Sequence, residues 1–97
     1  LIQNKLTPTL KKYEPELVFL DAEHTYETTK FCLEAIKQLD TSPKCIVLHD
    51  IYWSPKMTKL WNEAVMDKEY VLTIDLYWAG IIFPSRPMEK QHFNLRL

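Results

Sequence analysis

Two apolar runs that each stop at an aspartate restrict the folds open to this chain. Leu17 to Leu20 (LVFL) leads into Asp21, and Cys45 to Leu48 (CIVL) leads through His49 into Asp50. An unbroken apolar run bounded by polar residues suits a strand buried on both faces of a parallel sheet. Parallel neighbours need a crossover of about a dozen or more residues, and the interval between the two runs is long enough to supply one. Both carboxylates then emerge at one rim of the sheet. In open α/β sheets that rim, outside the carboxyl ends of the strands, is where ligands bind.

Helical patterns fill the intervals. Thr7 before Pro8 predicts a short helix from Thr7 to Tyr13, because proline at the first helical position loses no needed hydrogen bond. After the loop Ala22 to Thr25, Thr25 or its neighbour caps a helix running to about Leu39. Its expected packing stripe is Phe31, Cys32, Ala35, Ile36 and Leu39, with Glu27, Lys30, Glu34 and Lys37 in water. Ser54-Pro55 starts a further helix whose face is Met57, Leu60, Trp61, Ala64 and Val65.

Val71 to Trp78 alternates, with Leu72, Ile74, Leu76 and Trp78 against Val71, Thr73, Asp75 and Tyr77, a strand expected near a sheet edge. Gly80 is expected to reverse the chain into Ile81 to Phe83, closing an antiparallel hairpin. The tail from Gln91 to Leu97 alternates again and suits a short strand or an extended arm. The fold class read from this order is α/β, a mostly parallel sheet with helices packed on it and an antiparallel hairpin at the carboxyl end.

Ninety-seven residues form a single domain at most, spanning 1–97. Twelve basic against thirteen acidic residues leave a net charge of −1, which favours neither nucleic acid nor an anionic membrane. No apolar run approaches the roughly 18 residues of a membrane span, and the start has no signal-peptide core, so a cytoplasmic setting is expected. Cys32 and Cys45 fall in a helix and a strand, as reduced packing side chains. Gly80 is the only glycine, where average usage of about 7% gives six or seven. A chain this poor in glycine holds no glycine-rich phosphate or nucleotide loop. It begins at Leu1 without an initiator methionine, so a fragment or processed piece is expected.

LVFLDAEHTYE, then IVLHDIYWSPKM, then VLTIDLYWAGIIF together resemble the carboxyl-terminal half of a class I S-adenosylmethionine-dependent methyltransferase. The likeness is nearest to bacterial members related to small-molecule O-methyltransferases of the catechol type, and it covers about Leu6 to Leu97. The resemblance implies a partial Rossmann-like methyltransferase fold. Leu17 to Asp21 would match the family's fourth strand, Cys45 to Asp50 its fifth, and the hairpin around Gly80 its sixth and seventh. The family binds the methyl donor mainly through a glycine-rich loop after its first strand and an acidic residue ending its second, and neither element is in this chain.

The resemblance further implies methyl transfer from S-adenosylmethionine to a small-molecule acceptor in the complete protein, with this chain inactive alone. Asp21 would sit beside donor and acceptor, with Asp21, His24 and Asp50 as catalytic candidates. In the metal-dependent branch, carboxylates matching Asp21 and Asp50 hold a divalent cation that binds the acceptor oxygen. Ile51 stands where that branch has an asparagine, and His24 or His49 would suit a softer cation. Without a site role, Asp21 and Asp50 would cap the structures that follow them, and His24 would be a structural hydrogen-bonder. Tyr52 and Trp53 are candidate walls of an aromatic acceptor pocket, or equally a staple against the next helix.

Two other classes compete. One is a non-enzymatic α/β module that self-associates through the exposed edge of its first strand, giving a homo-oligomer. The other is a metal-dependent hydrolase using Asp21, His24 and Asp50.

Overall fold

The computed structural model describes residues 16–20, 25–39, 43–84 and 89–96. The order is β1 (Leu17–Leu20), α1 (Tyr26–Lys37), β2 (Cys45–His49), α2 (Pro55–Met66), β3 (Tyr70–Asp75), β4 (Ala79–Pro84) and β5 (Gln91–Asn94). The helix expected over Thr7 to Tyr13 lies outside the described residues, as do Asp21 and His24.

Both helices begin where their caps predict. The Thr25 hydroxyl accepts from the Thr28 amide at 3.2 Å, and the Ser54 hydroxyl accepts from the Met57 amide at 3.2 Å with Pro55 opening α2. Each cap satisfies an amide with no partner inside its helix. Met57, Leu60, Trp61 and Ala64 are buried, as the α2 stripe requires. In α1 the buried set is Thr29, Cys32, Leu33, Ala35 and Ile36, whereas Phe31 is 40% exposed. The packed face is therefore centred on the spacing 29, 32, 33 and 36, which leaves Phe31 to one side.

The strands form one sheet in the order β1-β2-β4-β3-β5. β1 pairs parallel with β2, and β3 with β5, while β4 runs antiparallel to both of its neighbours. The sheet is thus mixed, with equal numbers of parallel and antiparallel pairings, and not mostly parallel as the sequence suggested. The reason is the position of β4. The hairpin does not append to an edge; its return strand inserts between β2 and β3. β3 is consequently interior, flanked by β4 and β5. Because β4 alone is reversed, β1, β2, β3 and β5 all point the same way.

The hairpin also turns elsewhere than expected. Strand β3 ends at Asp75, and the chain reverses through Leu76, Tyr77 and Trp78, with Tyr77 at φ 74°. The Leu76 amide donates to the Ala79 carbonyl at 2.8 Å. Gly80 lies inside β4, opposite Leu48 and Asp75, without a positive φ. It is needed for space: a Cβ there would stand 2.4 Å from Cζ3 of Trp61.

Val18, Leu20, Ile46, Leu48 and Ile82 face the helices and join Cys32, Leu33, Ile36, Leu60 and Trp61 in one core. The other sheet face has no described helix on it. Leu17 is 59% exposed and Phe19 57%, so β1 is not buried on both faces as its unbroken apolar run implied. Fourteen core residues in one cluster nonetheless give the helix-covered face a continuous apolar interior, whose burial is the main favourable contribution to folding.

At the rim where β3 starts, Lys37 closes the carboxyl ends of both helices. It pairs with Asp67, reaches Glu69 at 3.1 Å and lies 5.0 Å from the centre of the Tyr70 ring. Burial alone would lower the Lys37 pKa, but its hydrogen bonds to the Asp67 and Glu69 carboxylates outweigh that and raise it. Lys90 ties the approach to β5 to the same corner, donating to the Asp67 and Tyr70 carbonyls at 2.7 and 2.6 Å.

Candidate functional site

The four co-directional strands bring their carboxyl ends to the opposite rim. There β2 ends at His49, and the chain leaves it through Asp50 in the left-handed region, φ 56°. Aspartate tolerates that conformation better than most residues. The turn is fixed by the Asp50 amide, which donates to the Trp78 carbonyl at 2.7 Å, and by the Trp53 amide, which donates to the Asp50 carbonyl at 3.0 Å. Ile51 then enters the core with no exposed surface.

His49 and Asp50 form a pair, with Nδ1 3.2 Å from Oδ2. The His49 ring has an aromatic neighbour on each side. Phe19 lies at 5.8 Å between centroids, tilted by 33°, and Trp78 lies at 6.1 Å, edge-on. Phe19 and Trp78 are both more than half exposed. A carboxylate-oriented imidazole flanked by aromatic rings can accept a proton from a small hydroxylated ligand and hold an apolar or flat one beside it.

A second carboxylate, Asp75, ends β3 at this rim and is 2% exposed. Oδ2 accepts from the Tyr52 hydroxyl and from Trp61 Nε1 at 3.3 Å; Oδ1 accepts from the Tyr77 amide at 2.7 Å and from Arg96 Nη1 at 3.1 Å. Burial would raise the Asp75 pKa, but these donors and the Arg96 charge outweigh it and hold the carboxyl below its ordinary value. The bond to Asp75, with burial, pushes the Tyr52 phenol upward. Asp75 is therefore a saturated structural anion and not a vacant ligand.

The candidate residues separate in space. Asp50 is at the rim with His49. Tyr52 has its hydroxyl committed to Asp75 and its ring 5.6 Å from that of Tyr77. Tyr52 and Trp53 border an open groove of about 860 Å³ along α2, shared with Pro55, Thr58, Asn62 and Met66, which includes neither His49 nor Asp50. Of the pair expected to hold a divalent cation, Asp50 is described and Asp21 is not. Among the described residues no group of three His, Cys, Asp or Glu side chains converges on a cation position. The buried Ile51 adds no ligand beside Asp50.

Phe19, Trp78, Asp75 and Arg96 were not singled out by the sequence reading as site residues. A signal for part of this set is present: the tetrad Asp50-Ile51-Tyr52-Trp53 recurs as Asp75-Leu76-Tyr77-Trp78 after β3. The copies interlock, since Tyr52 bonds Asp75, the tyrosine rings lie together, and the Asp50 amide bonds the Trp78 carbonyl. Among the described residues no helix is long and apolar enough to cross a membrane. The chain matches no protein-family model, no curated protein and no solved structure.

Proposed function

We propose that this chain supplies the acceptor side of an S-adenosylmethionine-dependent methyl-transfer site acting on a small hydroxylated molecule. The observation that supports it is the rim itself, where Asp50 Oδ2 stands 3.2 Å from His49 Nδ1 and the His49 ring lies between Phe19 and Trp78 at the carboxyl ends of co-directional strands. The strand and motif order of the resemblance supports it too. S-adenosylmethionine would supply an electrophilic methyl group. The described residues do not offer it a cradle: the one glycine is packed against Trp61, and Asp75 is saturated. The role assigned to this chain is to seat the acceptor against the rings and take its hydroxyl proton on the His49–Asp50 pair. A divalent cation forms no part of the proposal.

The test compares the 97-residue chain with a longer product of the same reading frame. The longer product is expected to bind S-adenosylmethionine by calorimetry and to transfer its labelled methyl group to a hydroxylated acceptor. Asp50→Asn should lower kcat by about 10²-fold or more while donor binding persists. Absence of donor binding by the longer product would sink the reading, and tight stoichiometric binding by the short chain would sink the half-site assignment.

A second reading rests on a separate observation. Among the described strands β1 stands at an edge of the sheet and is composed wholly of apolar residues, with Leu17 and Phe19 exposed. Such an edge can pair with that of another copy. Sedimentation at rising concentration distinguishes a self-associating module from a monomer.

A further inference from the structure

We infer that Arg96 is a positioning residue for Asp50, acting through the interlocked tetrads from the far end of the chain. The path is continuous. Arg96 Nη1 donates to both Oδ1 and the backbone carbonyl of Asp75, each at 3.1 Å, and the Leu95 amide donates to that same carbonyl at 2.8 Å. Asp75 Oδ1 in turn accepts from the Tyr77 amide at 2.7 Å, which holds Tyr77 in its left-handed conformation at φ 74°. The guanidinium lies over the Tyr77 ring, 5.4 Å from its centre, and adds a second contact to that residue.

The next residue is Trp78, whose carbonyl receives the Asp50 amide at 2.7 Å. Asp50 and Tyr77 are the two non-glycine residues with positive φ among those described, and one hydrogen bond joins their turns. Left-handed backbone is unfavourable for a non-glycine residue and persists where its surroundings over-determine it. For Tyr77, Asp75 and Arg96 act beside the turn's own Leu76–Ala79 hydrogen bond and the Tyr52 ring. For Asp50, a determining contact is the carbonyl that the Tyr77 turn presents.

Arg96 is well suited to be the variable member of this set. Its side chain is 52% exposed, against 2% for the Asp75 side chain it binds. It follows β5, an edge strand in which every residue is exposed. A half-exposed side chain held this way can release Asp75 while the core stays folded. Release would remove the charged donor from Asp75 and one face of the Tyr77 clamp, loosening the turn that aims Asp50. The functional meaning of this coupling rests on the rim reading above, but its test needs no methyl transfer, so the two can fail separately.

The test is amide hydrogen exchange by NMR on the full chain, for the native sequence, Arg96→Ala, Arg96→Gln and Arg96→Lys. Arg96→Ala is expected to speed exchange of the Asp50 and Tyr77 amides by about tenfold, with Ile46, Leu48 and Ile82 changed less than about twofold. All the Arg96 hydrogen bonds described here leave from one nitrogen, so Arg96→Lys should restore most of the protection. Should Arg96→Ala not fold, Arg96→Gln is judged by the same criteria. Unchanged exchange at Asp50 and Tyr77 would overturn the inference. So would a uniform acceleration across the sheet, or a lysine variant no better protected than the alanine or glutamine one.

Discussion

Replacing Gly80 by alanine adds a single methyl group at the centre of the sheet, and the geometry predicts a large effect. The new Cβ would lie 2.4, 2.6 and 2.7 Å from Cζ3, Cη2 and Cε3 of Trp61, where carbon atoms rest at about 3.5–4.0 Å. The ring would have to retreat by about 1 Å, yet Trp61 is 1% exposed and its Nε1 is bonded to Asp75. Overpacking of this kind costs about 1–3 kcal/mol, and a rigid indole tied at one end places Gly80→Ala near the top of that range. A loss of about 3 kcal/mol corresponds to a fall in Tm of roughly 12–24 °C for a domain of this size. Thermal and urea unfolding should be measured for the native chain, Gly80→Ala, Trp61→Phe and the double variant. Phenylalanine vacates part of the crowded volume, so Gly80→Ala should cost less than about 1 kcal/mol in that background. A Tm shift under about 4 °C, or an equal cost in both backgrounds, would refute a steric role for Gly80.

Asp75→Asn should destabilise the chain at neutral pH by about 1.5–3 kcal/mol, because whichever way the amide turns, its NH2 meets donors, Trp61 Nε1 on one side or the Tyr77 amide and Arg96 Nη1 on the other. The native Asp75 pKa is depressed, so its contribution is full above the unfolded value of about 3.9 and is lost as pH falls through the folded value. Chemical unfolding from pH 7 to pH 2 should therefore show a weaker acid dependence in Asp75→Asn, with the remainder coming in part from Asp67, also depressed. Ser54→Ala removes the α2 cap and should lower stability by about 1 kcal/mol by urea titration, with no change in sedimentation behaviour.

What the sequence made legible was local. Thr25 and Ser54-Pro55 announce helix starts because a cap is settled within three residues. The parallel pairing of β1 with β2 follows from two apolar runs separated by a helix. The site of β4 was not legible, because a return strand may add outside its partner or insert beside an earlier strand, and only the assembled sheet decides. The alternation of β3 was seen but not its sense. Neither alternating side was assigned inward, and it is Thr73 and Asp75 that are buried on the helix side. Period two shows that the faces differ and leaves open which one α2 covers; here Trp61 packs over Gly80 and its N–H reaches Asp75 on that same face. For the site, Asp50 at a rim was readable from its position after β2, whereas the aromatic neighbours of His49 come from β1 and from the turn before β4.

The sheet with both described helices on one side also governs how this chain unfolds. Heat-capacity change and denaturant sensitivity scale with the surface newly wetted on unfolding. Leu17, Phe19 and Phe93 are already substantially wet in the native state and add little to either quantity. Unfolding of the described residues is therefore expected to expose less new apolar surface at these positions than if they were buried, which urea titration and calorimetry of Leu17→Ser and Phe19→Ser check through an m-value and heat-capacity increment little changed from the native chain. Among the described strands β1 and β5 stand at the two edges of the sheet, each held by one neighbour, and amide exchange is expected to open them ahead of β2, β4 and β3.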